Sequence, residues 1–220
     1  AVEYIARARR AAVAWPLHFI PQGISAELIA ARWNLSRAEL DEFSALSHEK
    51  AAHATKEGLF DNELAPVAGL RTDEIIRPGT TVETLAGLKP AFYHEAVAQR
   101  FPQIRWEITP GNSSPLSDGS AAVLITSGEV ARKRGLRPLA RIHTTTVVGS
   151  DPLYMLTGVI PATEQVLARA GLTLADIDLF EVNEAFAPVV LSWARETGAD
   201  PSRTNVNGGA IAIGHPLGAS

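Results

Sequence analysis

The chain has 220 residues, a net charge of −4 and no cysteine. With 46% hydrophobic and 20% charged residues, its composition is that of a globular protein with one large or two small domains. The slightly acidic balance offers no basic surface to nucleic acid or anionic lipid, and no apolar run is long enough to span a bilayer. Without cysteine, these residues hold no disulfide, thiolate metal site or cysteine nucleophile.

The first predicted elements are helical. Residues 25–70 are expected to be helical, with Ser36 and Glu39 in a capping-box pattern and Gly58 at a helix end. An apolar stripe at three-residue steps follows the cap, formed by Leu40, Phe43 and Leu46. A short helix is predicted over residues 81–88 within a region rich in proline and glycine.

From residue 119 onward the pattern alternates between strands and helices, which indicates an α/β layered core. Strands are predicted over residues 121–126, 139–148, 177–182 and 205–206. Helices are predicted over residues 127–133, ended by Gly135, and 184–197, ended by Gly198. Another helix has Pro161 in its first turn and ends at Gly171.

The most specific string is NVNGGAIAIGHPLGAS at residues 205–220. Its glycines allow tight turns and close approach of the backbone, and Pro216 fixes the chain after His215. A histidine on such a stiff loop is suited to act as a base or as a hydrogen-bond donor to an anion. A structural glycine turn with a surface histidine is the alternative, which a string of this length disfavours.

Two further strings accompany it. EVNEAFA at residues 181–187 lies where a predicted strand meets a helix, the position at which α/β sheets bind ligands. Asn183 is the functional candidate there, although an asparagine N-cap followed by an N-terminal glutamate explains the string equally well. TPGNSSPLSDG at residues 109–119 is a polar turn that leads into a strand.

Together the three strings, in this order, resemble the thiolase family. Supporting matches are PQGISAEL at residues 21–28, LKPAF at 88–92 and IPAT at 160–163, so the resemblance covers residues 21–220. The sequence looks most like the actinobacterial thiolases that degrade fatty acids or sterol side chains. Residues 1–20 match no family pattern; their basic start only mimics a signal peptide, so a cytoplasmic location is expected.

The resemblance implies an α/β fold with layered α-β-α-β-α order, present here in incomplete form. Residues 21–108 are expected to form part of a helical loop domain, and 109–135 the last strand region of the N-terminal half. Residues 136–220 are expected to form a truncated C-terminal half. Missing strands would expose sheet edges, so we expect a homo-oligomer (dimer or tetramer), a partner supplying the rest, or further residues beyond these.

The implied activity is acyl transfer: thiolytic cleavage of 3-oxoacyl-CoA with CoA, or the reverse Claisen condensation. His215 matches the family histidine that deprotonates the nucleophilic cysteine and donates to the thioester oxygen. Asn183 matches the asparagine that holds a water in the same oxyanion hole. Coenzyme A is a substrate, and neither a permanently bound cofactor nor a metal is implied.

Four other residues match substrate-binding positions. Ser114 and Leu116 correspond to the lining of the pantetheine channel, and Arg77 and Thr84 to positions near the CoA nucleotide. Gln22 departs from the methionine common in the family. With the long stretch at residues 93–107, it argues against a simple acetoacetyl-CoA enzyme.

Two rival functions stay open. A decarboxylative condensing enzyme of the same broad fold is disfavoured, because its histidine string differs from the Gly214-His215-Pro216 found here. A non-catalytic thiolase-like subunit or lipid-carrier partner is favoured by the missing cysteine, and the 220 residues alone are predicted to be inactive. The retained His215 and Asn183 argue against such a scaffold.

Overall fold

The computed structural model describes residues 20–219. The basic start of the chain therefore lies outside the described residues. The α-helices of the described part are α1 (Gln22–Arg32), α2 (Arg37–Lys56), α3 (Val82–Ala86), α4 (Glu95–Arg100), α5 (Gly128–Arg134), α6 (Val159–Ala170), α7 (Ala187–Thr197) and α8 (Ala210–Ile213). Short 3-10 turns occupy Met155–Gly158, Leu174–Asp176 and Pro201–Arg203.

Helix α2 begins where the sequence predicts. The Ser36 hydroxyl accepts a hydrogen bond from the Glu39 amide, and the Glu39 carboxylate accepts from the Ser36 amide, which confirms the capping box. Within the predicted stripe, Leu40 is fully buried, whereas Leu46 is 45% exposed.

The helical prediction for residues 25–70 extends too far. Helix α2 ends at Lys56, because Gly58 adopts a left-handed φ of 69° and the Leu59 amide closes back onto the Ala54 carbonyl at 2.9 Å. Turns occupy most of the remainder up to residue 70.

The later helix ends are confirmed. Gly135, Gly171 and Gly198 each adopt a left-handed conformation at the end of α5, α6 and α7. The predicted start of α7 is wrong by three residues. The helix begins at Ala187, because Phe186 is the extended N-cap residue.

The predicted strands do not form a ladder within residues 20–219. Bridges there are isolated; one pairs Phe180 with Thr204 in parallel. An extended segment becomes a strand only when a neighbouring strand accepts and donates its backbone hydrogen bonds. Residues 121–126 and 139–148 have no such neighbour in the described part, and their apolar side chains, such as Val123 and Leu139, are 81% and 98% exposed.

The core lies around α7, which packs against α1, α2 and α6. Trp193 on α7 is fully buried, stacks edge-on against Phe180 and donates from its indole nitrogen to the Thr163 hydroxyl at 2.8 Å. This core holds α7 and the segment that precedes it in a fixed position. None of the helices in the described part combines the length and apolarity needed to cross a bilayer.

Candidate active site

The structure brings the three sequence strings together. The Ser114 amide donates to the Ala185 carbonyl at 3.0 Å, and the Ala187 amide donates to the Asn112 carbonyl at the same distance. These two backbone hydrogen bonds join residues 109–119 to residues 181–187. Asn112 and Asn183 are 71 residues apart in the sequence. The two hydrogen bonds explain how their segments come to share one site.

The glycine string packs against the same turn. Gly214 has a φ of 85°, and a Cβ there would lie 2.8 Å from the Ser117 Cβ, so this position needs glycine for both its backbone and its space. A Cβ on Gly119 would meet the Pro216 ring at 2.6 Å. His215 is therefore held between two residues that contact the 109–119 turn.

His215 and Asn183 face each other. The Asn183 Nδ2 lies 3.4 Å from the His215 Nε2, at the long limit of a hydrogen bond. Asn183 is exposed, whereas His215 is partly buried. An amide nitrogen only donates, so this contact is a hydrogen bond when Nε2 carries no hydrogen; when Nε2 is protonated, two donors face the space between the side chains.

The other ring nitrogen of His215 has no partner. Among residues 20–219, its Nδ1 is a buried side-chain polar atom without a hydrogen bond. Most catalytic histidines have this nitrogen fixed by an acceptor. Residues 20–219 thus leave the His215 tautomer unset and fix the ring only by its position on the loop.

The interpretation of Asn183 as a helix N-cap is wrong. Helix α7 begins three residues after Glu184, and the Asn183 amide approaches His215 instead. Glu184 is not an exposed first-turn glutamate either. Its side chain is buried, and burial raises the pKa of its carboxyl group against the lowering effect of its hydrogen-bond donors.

Glu184 is the residue that sequence reasoning missed. Its carboxylate accepts from the Ser47 hydroxyl at 2.7 Å and from the Asn205 amide group at 2.8 Å. It also accepts from the Ile211 backbone amide at 3.2 Å, at the start of α8. No local pattern reveals these contacts, because Ser47 is 137 positions away in the sequence.

The predicted pantetheine positions lie at the edge of this site. Ser114 is partly buried and is tied by its backbone to Ala185. Leu116 is fully exposed, at 104% of its reference area. Leu116 therefore makes no contribution to the core of the described residues.

The predicted nucleotide positions, Arg77 and Thr84, are both exposed. The Arg77 amide donates to the buried His48 Nδ1 at 3.3 Å; burial, followed by the Arg77 charge, lowers the pKa of His48. Thr84 caps α3 reciprocally with Thr81, so its hydroxyl already donates to the Thr81 carbonyl at 2.8 Å. In addition, Ile75 reaches Gly214, which places this segment near the histidine loop.

Residues 20–219 contain no cluster of three or more histidine, aspartate, glutamate or cysteine side chains able to hold an ion. What the site offers is an amide, an imidazole and backbone groups on stiff turns, an arrangement suited to binding an oxyanion.

Comparison with known proteins identifies the family of this chain. Residues 12–129 match the model for the thiolase N-terminal domain, and residues 136–220 match the model for the thiolase C-terminal domain. The chain therefore belongs to the thiolase family.

Among curated relatives, the chain is 45% identical over 206 residues to an acetyl-CoA acetyltransferase of Paracoccus denitrificans, covering 90% of this chain and 50% of the relative. It is 45% identical over 205 residues to the steroid 3-ketoacyl-CoA thiolase FadA6 of Mycobacterium tuberculosis, covering 91% and 47%. The second relative agrees with the predicted actinobacterial resemblance. The chain spans about half the length of the curated relatives it matches.

Solved structures agree with the fold. Human mitochondrial 3-ketoacyl-CoA thiolase in complex with CoA matches with a TM-score of 0.81 and 41% identity, over 91% of this chain and 49% of that one. The dimeric peroxisomal thiolase of Saccharomyces cerevisiae matches with a TM-score of 0.84 and 40% identity, over 91% and 50%. The predicted thiolase-like α/β fold is thereby confirmed as the fold of these relatives, whereas residues 20–219 themselves contain isolated bridges in place of strand ladders.

Proposed function

We propose that this chain supplies the histidine–asparagine part of the active site of a thiolase, an acyltransferase that cleaves 3-oxoacyl-CoA with CoA or runs the reverse condensation. The observation that carries the proposal is the 3.4 Å approach of the Asn183 Nδ2 to the His215 Nε2, where three family strings converge. The names of the relatives, an acetyl-CoA acetyltransferase and a 3-ketoacyl-CoA thiolase, support CoA esters as substrates.

His215 and Asn183 would act on the thioester oxygen. Cleavage of the bond between C2 and C3 of the substrate leaves an enolate, whose negative charge resides on that oxygen. The His215 Nε2–H would donate to it directly, and Asn183 would hold a water that donates to it as well. Such donors are effective because they are already in position when the charge develops.

His215 would also deprotonate a cysteine nucleophile. Thiolates, not thiols, attack the acyl group, so a base near the sulfur is required. The 220 residues hold no cysteine, and a nucleophile would therefore come from outside them. This division explains why these residues alone are expected to be inactive.

Ser114 and Leu116 would line the pantetheine arm of CoA. Ser114 is anchored to Ala185 close to Asn183, and the exposed Leu116 offers apolar surface to the pantetheine chain. Arg77 and Thr84 would lie near the nucleotide, where the exposed Arg77 guanidinium suits phosphate groups. The solved complex of a related thiolase with CoA supports the ligand class.

The wider organisation follows the same resemblance. Residues 21–108 would belong to the loop domain, 109–135 to the end of the N-terminal half, and 136–220 to the C-terminal half. We also propose a homo-oligomer, because the related yeast thiolase is dimeric and because the segments 121–126 and 139–148 expose apolar side chains. A role in lipid degradation in the cytoplasm completes the proposal.

The test is a thiolysis assay of the protein as its gene encodes it, with a 3-oxoacyl-CoA series and free CoA. We expect turnover that a thiol alkylator abolishes, and a loss in kcat of roughly 10²–10³-fold in each of the variants His215→Ala and Asn183→Ala. Leu217→Ala, an exposed change on the same loop, is the matched control and keeps kcat within about twofold. Wild-type turnover that both site variants retain would refute the assignment of the site.

A non-catalytic thiolase-like subunit or lipid-carrier partner is the second candidate, favoured by the absence of cysteine from the 220 residues. The same assay separates the two. A folded protein that binds acyl-CoA without turnover, and whose binding is unchanged by His215→Ala, would establish the non-catalytic function.

A further inference from the structure

We propose that Glu184 is a positioning residue, whose buried carboxylate sets the separation of Asn183 and His215. This inference rests on the proposed thiolase function. Glu184 directly follows Asn183 in the chain, so any movement of its side chain or backbone is transmitted to Asn183 over a single peptide bond. Its carboxylate reaches the loop that carries His215.

The contacts of Glu184 form a small cluster with two side chains, Ser47 and Asn205, and the Gly209–Ile211 backbone. The Ser47 hydroxyl donates to Glu184 Oε2 at 2.7 Å and accepts from the Gly209 amide at 3.1 Å. The Ile211 amide donates to the same Oε2 at 3.2 Å. The loop before His215 is therefore bound twice, once directly by Glu184 and once through Ser47.

The second carboxylate oxygen of Glu184, Oε1, binds, through Asn205, the segment that carries Asn183. The Asn205 amide group donates to Glu184 Oε1 at 2.8 Å and to the Val182 carbonyl at 2.9 Å. The Asn205 Oδ1 accepts from the Val182 amide at 2.8 Å. Asn205 thus holds the residue before Asn183, while Glu184 is the residue after it.

Short connections make this arrangement stiff. Ile211 is separated from His215 by three residues, and α8 (Ala210–Ile213) fills most of that interval with helical hydrogen bonds. The carboxylate also packs against the Gly209 backbone so closely that a Cβ there would lie 2.5 Å from Oε1. Because polar groups in a buried cluster keep one arrangement, the two catalytic side chains are held at a constant separation.

The cluster also couples the site to α2. Ser47 belongs to that long helix, and a Cβ on Gly208 would lie 2.5 Å from the Ser47 carbonyl oxygen and 2.8 Å from the Ala51 Cβ. The α2 backbone and the glycine loop are therefore in direct contact. A displacement of α2 would shift His215 through Glu184 and Ser47 together.

The variant Glu184→Gln tests the proposal. Glutamine keeps the shape of the glutamate side chain, but its NH2 group replaces one of the two accepting oxygens and cannot accept a hydrogen bond. The matched control is Glu27→Gln. Glu27 is equally buried and accepts from the Glu107 and Ile108 amides at 2.9 Å, and neither of these donors belongs to the Glu184 cluster. Both variants lose hydrogen bonds to a buried carboxylate, and only one should affect the chemistry.

In the protein as its gene encodes it, Glu184→Gln should lower kcat by at least tenfold and leave the KM for CoA within about twofold. Glu27→Gln should keep kcat within about twofold. A Glu184→Gln enzyme with wild-type kcat, or equal losses of kcat in both variants, would overturn the positioning role. If Glu184→Gln does not fold, Ser47→Ala takes its place, with an expected loss of threefold or more and the same overturning outcomes.

A crystal structure of the Glu184→Gln or Ser47→Ala variant measures the position of the two side chains independently of turnover. The Asn183 Nδ2 to His215 Nε2 separation should exceed its present 3.4 Å by 0.5 Å or more. An unchanged separation would overturn the inference even in an active enzyme. If the wild-type protein shows no thiolysis, the proposed function fails, and this separation alone decides whether Glu184 positions the pair.

Discussion

Replacing Gly209 by alanine isolates the contact between the glycine loop and Glu184. Gly209 has a φ of −154°, so alanine is tolerated by the backbone, and the effect comes from the added methyl group alone. That methyl carbon would lie 2.5 Å from Glu184 Oε1 and 2.8 Å from Oε2, whereas ordinary contacts begin at 3.4 Å. The nearest atom is Glu184 Cδ at 2.4 Å, so the carboxylate must retreat by about 1.0 Å, which disturbs its present hydrogen bonds.

The cost follows from two contributions. Overpacking a buried site costs about 1–3 kcal/mol, and losing a hydrogen bond to a buried charged group costs about 1.5–3 kcal/mol. We expect Gly209→Ala to lower the free energy of unfolding by about 3–5 kcal/mol. Gly149→Ala is the control, because a Cβ there meets no atom within 4 Å, and it should change stability by less than about 0.5 kcal/mol.

Urea unfolding followed by circular dichroism measures both variants, with the midpoint as the readout and an unchanged m-value as the condition for comparison. If Gly209→Ala loses less than about 1 kcal/mol, the carboxylate moves aside freely and the cluster is not a rigid unit. Such a result would also weaken the positioning role of Glu184. An equal loss in both variants would assign the effect to glycine replacement in general.

Three further predictions concern stability. Burial raises the pKa of Glu27 to about 7 from an unfolded value of 4.5, so the folded state retains a proton that the unfolded state releases between these pH values. Stability should fall by about 3 kcal/mol from pH 4.5 to pH 8 because of this group, and urea midpoints of Glu27→Gln should lack that slope. Ser36→Ala removes the α2 cap and should cost about 1 kcal/mol in urea, whereas an unchanged midpoint would show that the cap is not needed. Trp193→Ala leaves a cavity in the core and should lower the free energy of unfolding, measured by thermal unfolding, by about 3–5 kcal/mol. A loss below about 1 kcal/mol would contradict the role of Trp193 as a major core residue.

Local sequence patterns predicted the helix ends well. Capping by Ser36, and stops at Gly135, Gly171 and Gly198, depend on residues within one turn of the helix end, so the chain itself contains the information. The strands could not be predicted in the same way. A segment such as residues 121–126 has the right residues, but a strand also requires a partner, and local sequence does not specify one.

The site shows the same division. His215 and Asn183 were predicted because family strings identify them, and their roles stay predictions until the variants are assayed. Their 3.4 Å approach could not be predicted, because it depends on contacts across the fold.

Glu184 illustrates why such contacts escape sequence reasoning. A glutamate placed before a helix normally stabilises the helix N-terminus from the surface, and that interpretation explains an isolated string as well as a functional one does. Here the extended Phe186 delays the helix, and the side chain enters the interior, where Ser47 and Asn205 meet it. A buried carboxylate is costly unless several donors surround it, and Glu184 meets that condition. Three donors, from Ser47, Asn205 and Ile211, converge on this one carboxylate, and no apolar side chain of the same volume could hold them together.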